Sequence, residues 1–181
     1  MKSSSVKLWV ALLLPIVVLG LWTLRLRNQG RSGVDVELPV EGFDPLDHIS
    51  GHYVTYRLAM GRHDPCRPTS GPLVDREAVQ CLCLDESPSH QPSWGGACEQ
   101  KPSSCDLFLK GTCPWSGFTA GVERFYIPET DSAWLKVVPP KSSIIITLNG
   151  SGGGLVKAFR PEGQDYKVWI ERKKAEQKPS P

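Results

Sequence analysis

Two groups of residues in this chain have the chemical equipment for a site. The first is Asp44, Asp47, His48, Ser50 and His52, crowded into nine positions of the stretch 43–59, FDPLDHISGHYVTYRLA. The second is Cys66, Cys81, Cys83, Cys98, Cys105 and Cys113, all six cysteines within 48 residues. Carboxylates and imidazoles in a short loop suit a metal ion, and Ser50-x-His52 pairs a hydroxyl with a base. Nucleophilic catalysis needs the base within hydrogen-bond reach of the hydroxyl and a third group to orient it. Alternating positions rarely supply that geometry, and no third group is identifiable. A Ser-Lys dyad of the type I signal peptidase kind finds no matching motif either. The cluster reads as a solvated loop, and no catalytic, cofactor or metal residue is assigned.

An even number of cysteines in one Pro- and Gly-rich stretch reads as a disulfide framework formed in an oxidising compartment. Six cysteines can pair in many ways, and the sequence does not choose among them. Cys81 and Cys83 share a face if they lie in a strand, so each is expected to reach a different partner. Zinc is the rival reading. Cys81-x-Cys83 departs from the Cys-x-x-Cys knuckle, and His63 and His90 read as exposed loop residues. Free or redox-active thiols are the third alternative.

The loop 43–52 delivers its polar residues into Tyr53–Leu58, an aromatic and β-branched run that reads as a strand. This stretch resembles the signature of the GDYXXLXXP-motif family, uncharacterised bacterial membrane-anchored proteins. Asp44 and Pro45 precede the motif as they do in that family, and Gly51 and Tyr53 agree with it. His52 stands in place of the family Asp, Tyr56 of the Leu, and Ala59 of the Pro. Glu123-Arg124-Phe125-Tyr126-Ile127-Pro128-Glu129 is similar to the family's later Arg-aromatic-aromatic-Val-Pro-Glu block. The resemblance covers roughly residues 35–60 and 120–170. It implies location and fold more than activity, with a multi-spanning membrane protein as partner and no cofactor. One sharper expectation is that Glu129 and His52 line a shared cleft. The blander one is that Glu123, Arg124 and Glu129 form ion pairs at the ends of a strand.

The rest of the chain must position these residues. Leu8–Leu24 carries no charge, and at about 17 residues it sits at the short end for a spanning helix. Trp9 and Trp22 lie near its ends, as in aromatic belts. A cleaved signal peptide is the alternative, but no small-residue cleavage site follows the apolar run. Residues 1–31 hold five of the 21 basic residues and no acid, which leaves 16 basic against 19 acidic residues, a net of −3. A domain of that charge does not suit nucleic-acid backbones. If the cysteines form disulfides, the chain is a single-pass protein of the inner (cytoplasmic) membrane, its C-terminal domain periplasmic or extracellular.

The expected organisation is an anchor over 1–27, a linker over 28–33, a β domain over 34–171 and a charged, frayed tail over 172–181. Residues 61–118 form a loop-rich, cysteine-stapled insertion with one strand-like run, 78–84. Further strands are predicted over 34–40, with Pro39 placing it near an edge, and over 53–58, 122–127, 133–138, 142–148, 155–159 and 166–170. Asn149–Gly154 marks the clearest hairpin. No Lys-Ser/Thr or helix follows it, so it is not a phosphate loop. Four of the six Trp lie outside the anchor and are expected to build the core. The fold class is mainly β, a small partly open barrel or sandwich of about six to eight strands. The function that follows is a non-catalytic accessory or binding domain of the cell envelope. The alternatives are a peptidase-like hydrolase or a metal- or ligand-binding envelope domain.

Overall fold

The computed structural model describes residues 2–29, 33–42, 53–67, 78–87, 90–135 and 137–176. The chain divides into two compact units, Met1–Gly33 and Val34–Pro181. The first is a single helix, α1, Lys2–Gln29, with Pro15 inside it. Its side chains over 11–25 are exposed throughout. Among the described residues no helix is long and apolar enough to cross a membrane.

Among the described residues the second unit holds eight strands and one α-helix. The strands are β1 Val34–Gly42, β2 Tyr53–Leu58, β3 Gln80–Leu84, β4 Pro92–Ala97, β5 Phe108–Gly111, β6 Arg124–Tyr126, β7 Ser142–Leu148 and β8 Gly154–Arg160; the helix is α2, Tyr166–Glu176. Five strands form an antiparallel sheet in the order β6-β2-β1-β7-β8, and three form a second in the order β4-β3-β5. The larger sheet nearly closes on itself, because Phe125 of β6 lies 5.6 Å from Phe159 of β8, ring to ring.

Strict alternation explains the larger sheet. Val36, Leu38 and Val40 of β1, Val54, Tyr56 and Leu58 of β2, and Ile144, Ile146 and Leu148 of β7 all point into one core. Across β1, β7 and β8 the opposite face is polar: Asp35 takes Lys157 and Thr147, and Glu37 takes Arg160 and Ser143. The same rule divides β3. Cys81 and Cys83 face one way, into disulfides, while Leu82 and Leu84 join the core beside Leu109 and Phe118.

The disulfides pair Cys66 with Cys113, Cys81 with Cys98, and Cys83 with Cys105. Cys81 and Cys83 thus reach different partners, as their shared face requires. The glycine-rich turn is a hairpin between β7 and β8. Asn149 Oδ1 accepts from the backbone N–H groups of Ser151 and Gly153, and Gly152 O accepts the Lys110 N–H at 2.8 Å, tying the hairpin to β5.

Six expectations are corrected. Residues 61–118 carry three strands paired in one sheet, where a single strand-like run was expected. β1 is the central strand, not an edge. Pro39 is tolerated because its carbonyl faces Ala59, just past the end of β2, so the missing N–H falls where the β1–β2 ladder has ended. Residues 166–170 are helical: Asp165 Oδ1 caps the Lys167 N–H, and Trp169 and Ile170 are both buried, which adjacent strand positions would place on opposite faces. The helix continues to Glu176, so the first residues of the expected frayed tail are ordered. No strand forms over 133–138 among the described residues. Asp131, Ser132 and Trp134 donate in turn to the carbonyls of Pro128, Glu129 and Asp131, winding the chain tightly instead. Of the four Trp expected to build the core, Trp169 is buried, Trp94 and Trp134 are half-buried, and Trp115 is 89% exposed.

Candidate functional site

Outward positions on β2 are Tyr53, Thr55 and Arg57, and on β6 they are Arg124 and Tyr126. The register sets Tyr53 opposite Tyr126 and Thr55 opposite Arg124. The Tyr53 and Tyr126 rings lie 5.8 Å apart, and the Arg124 guanidinium sits 5.1 Å from the Tyr53 ring centroid. That is a cation–π contact of about 0.5–1 kcal/mol at an exposed place.

This face continues into a groove. One cavity of about 180 Å³ is lined by Thr55, Arg57, Glu123 and Arg124 of the sheet side and by Ser116 and Phe118 opposite. A second of about 250 Å³ adjoins it, lined by Glu41, Met60, Asp64 and Arg67, and it shares Arg57, Ser116 and Phe118 with the first. The floor is apolar, since Tyr56 and Phe118 are buried beneath it. The two outer walls are turns. One runs over 60–67, where Asp64 Oδ1 accepts the Cys66 N–H at 2.9 Å. The other runs over 114–119, where Gly117 donates to the Pro114 carbonyl and adopts a φ of 99°, which favours glycine. The disulfide Cys66–Cys113 joins the two walls.

Charge along the groove is balanced: Arg57, Arg67 and Arg124 face Glu41, Asp64 and Glu123. Glu123 Oε1 accepts the Ala120 N–H at 2.6 Å, so this carboxylate holds the backbone. Tyr56 donates its hydroxyl proton to the Val122 carbonyl, and burial, then the nearby Glu123 charge, pushes its ionisation far up. It stays a neutral phenol and is no nucleophile at ordinary pH.

A second polar centre lies under α2. Buried Asp131 accepts from the Tyr166 hydroxyl at 3.0 Å and from Lys174 at 3.0 Å. Burial acts to raise the Asp131 carboxyl, but the Lys174 and Tyr166 hydrogen bonds outweigh it and hold the group below the usual range. This constellation anchors the helix and opens onto neither cavity.

The sequence-predicted residues divide accordingly. Asp44, Pro45, Asp47, His48, Ser50, Gly51 and His52 lie outside the described residues, and so does the expected His52–Glu129 cleft. Tyr53, Arg124 and Phe125 come together on β2 and β6. Pro128 and Glu129 are exposed at the start of the turn that follows. Among the described residues neither Glu123 nor Arg124 has an ion-pair partner: one holds a backbone N–H and the other covers a ring. His90 contacts the Asp85 carbonyl through Nδ1, and the cysteines, being bonded to one another, are no metal ligands. Among the described residues no group of His, Cys, Asp and Glu is placed to hold a metal ion. Arg57, Ser116 and Phe118 were missed. Arg57 had a legible signal, since it shares the period-two face of Tyr53 and Thr55. Ser116 and Phe118 had none, because their place depends on a cysteine pairing the sequence leaves open.

A family model described as GDYXXLXY protein matches residues 15–154. No curated protein and no solved structure matches the chain. Set against Gly51–Leu58, the eight letters of that name agree at Gly51 and Tyr53. His52 stands for Asp, Tyr56 for Leu and Leu58 for the last Tyr, so this motif ends on β2 and Ala59 falls outside it.

Proposed function

This chain belongs to the GDYXXLXY family, and from that premise we propose that it is a non-catalytic accessory protein of the cell envelope. In this reading α1 is an uncleaved single-span anchor. The β domain lies on the oxidising side of the inner membrane and binds an extended segment of a membrane-protein partner along the groove on β2. The observation that carries it is the pairing of all six cysteines, which a reducing cytoplasm does not sustain. The anchor is supported by the uncharged run Leu8–Leu24 and by the exposed apolar side chains of α1 from Leu12 to Leu24. Such surface gains roughly 25 cal/mol per Å² when it leaves water. The groove is supported as a protein site by its three Arg and by the Tyr53–Tyr126 pair on the adjoining face, residue types enriched at interfaces.

The test is intact mass of the full chain taken from native membranes, alkylated with and without prior reduction. Six alkyl groups added only after reduction, on protein that resists a carbonate wash, is the expected result. Six added without reduction, or release by the wash, defeats the reading. Photo-crosslinking from position 57 tests the groove, and the expected adduct is a membrane protein.

A further inference from the structure

The three disulfides do different work. Cys81–Cys98 and Cys83–Cys105 close 17 and 22 positions within the three-stranded sheet, whose strands are already registered by backbone hydrogen bonds. Cys66–Cys113 closes 47 and joins two turns that are not paired with each other as strands. Those turns are the groove's outer walls, with Asp64 and Arg67 flanking Cys66 and Ser116 to Phe118 following Cys113.

We propose that Cys66–Cys113 is a redox-sensitive clamp on the groove: oxidised, it holds the walls facing across Arg57 and Phe118; reduced, it lets them part while both sheets stay folded. The hinges are on either side of the bond. The first turn is fixed at its start by β4, where Gly95 packs so closely on His63 that an added Cβ would stand 2.0 Å from the His63 carbonyl oxygen. The second is fixed at its base by the mutual backbone bonds of Thr112 and Thr119 at 2.9 Å. Freed of the disulfide, the segments between these points swing instead of unravelling.

The chemistry balances with a dithiol reductant. One of its thiolates attacks Sγ of half-buried Cys66, the S–S bond breaks, and Cys113 leaves as a thiol after taking a proton. The second reductant thiol then displaces Cys66 and the reductant departs as a disulfide, so two electrons and two protons have passed to the protein. Cys83–Cys105, at 1% and 5% exposure, is covered at both ends and is the slowest to be reached.

The clamp takes its functional meaning from the groove being the binding site, but its test needs no partner, so the two readings fail separately. Amide hydrogen exchange is compared between the full-length wild type and C66S/C113S. The expected result is exchange at least about ten-fold faster over 64–67 and 115–118, with Thr119, β3, β5 and β7 unchanged. In wild type treated briefly with dithiothreitol, the molecules alkylated at Cys66 and Cys113 should show the same local pattern, whether or not the equally half-buried Cys98 has also been reached. Unchanged exchange in both turns overturns the clamp. So does loss of protection in the sheets, whether in C66S/C113S or in C66A/C113V, which keeps the buried Cys113 place apolar.

Discussion

The Tyr56 hydroxyl donates to the Val122 carbonyl at 2.6 Å across 66 positions of sequence. Both residues are fully buried, and the Tyr56 ring stacks on Phe159 at 6.1 Å between centroids. One side chain therefore ties β2 to the segment entering β6 and also fills the core beneath the groove. Tyr56→Phe keeps the ring and strands the carbonyl, a loss of about 1–3 kcal/mol. Tyr56→Leu, the residue the family name carries at this place, also removes the ring stacking and opens space, and should cost more. Urea unfolding followed by Trp fluorescence checks both. Equal stability of wild type and Tyr56→Phe would show that the bond is not formed.

Asp131 makes stability depend on pH. Its folded ionisation is depressed because Lys174 and Tyr166 bind the charged form more strongly than burial opposes it. A depressed carboxyl contributes stability that is fully present above its unfolded value of about 3.9 and disappears as pH falls through the folded value. Asp131→Asn should therefore lie below wild type at neutral pH and approach it below about pH 4. Tyr166→Phe removes one hydrogen bond to the carboxylate and should lose about 1.5–3 kcal/mol at pH 7, with less lost in acid. Urea midpoints measured at pH 7 and pH 3 decide the point. A pH-independent gap for Asp131→Asn would rule out the linkage.

What the sequence made legible follows from local physics. β1, β2 and the β7–β8 hairpin were readable because strict alternation and a glycine-rich turn act over a few residues. β4, Pro92-Ser-Trp-Gly-Gly-Ala, carries little strand propensity. It is a strand because β3 offers a ladder and because Gly95 leaves room for the His63 backbone, neither of which is local. Tyr166-Lys-Val-Trp-Ile alternates enough to suggest a strand, but the Asp165 cap and the joint burial of Trp169 and Ile170 make it a helix. The site divides in the same way. Arg124 and Phe125 were marked by the family-like block, whereas the turn that brings Ser116 and Phe118 to the groove is placed by the Thr112–Thr119 bonds, by burial of Phe118 and by the Cys66–Cys113 bond, none of them local in sequence to β2.

The disulfides should dominate the stability of the second unit. Each is worth roughly 2–4 kcal/mol, so losing all three approaches the whole stability of a typical domain, about 5–15 kcal/mol. Full reduction in mild denaturant should abolish the near-UV circular dichroism. Substituting one pair at a time should rank C83S/C105S as the largest loss, because that bond is covered at both ends and its removal leaves hydroxyls in a packed place. A largest loss for C66S/C113S would mean that loop length governs, and it would count against a clamp whose release leaves the sheets untouched.

Gly152 offers the sharpest contrast within one turn. Its φ is 83°, a left-handed conformation, and a Cβ there would stand 2.5 Å from the Phe108 ring and 2.8 Å from Lys110 Cγ. Alanine meets both the backbone strain and a clash with β5, so Gly152→Ala should cost at least about 1–3 kcal/mol. Gly150, two residues earlier, has nothing within 4 Å of its would-be Cβ and no left-handed φ. Gly150→Ala should be neutral, or stabilise by up to about 1 kcal/mol through the unfolded state. Because Gly152 also accepts the Lys110 N–H, its alanine variant should speed exchange at the Lys110 amide while the Gly150 variant leaves it alone. Equal effects from the two substitutions would mean that the hairpin does not pack on the three-stranded sheet, and the coupling of the two sheets would then rest on the shared core alone.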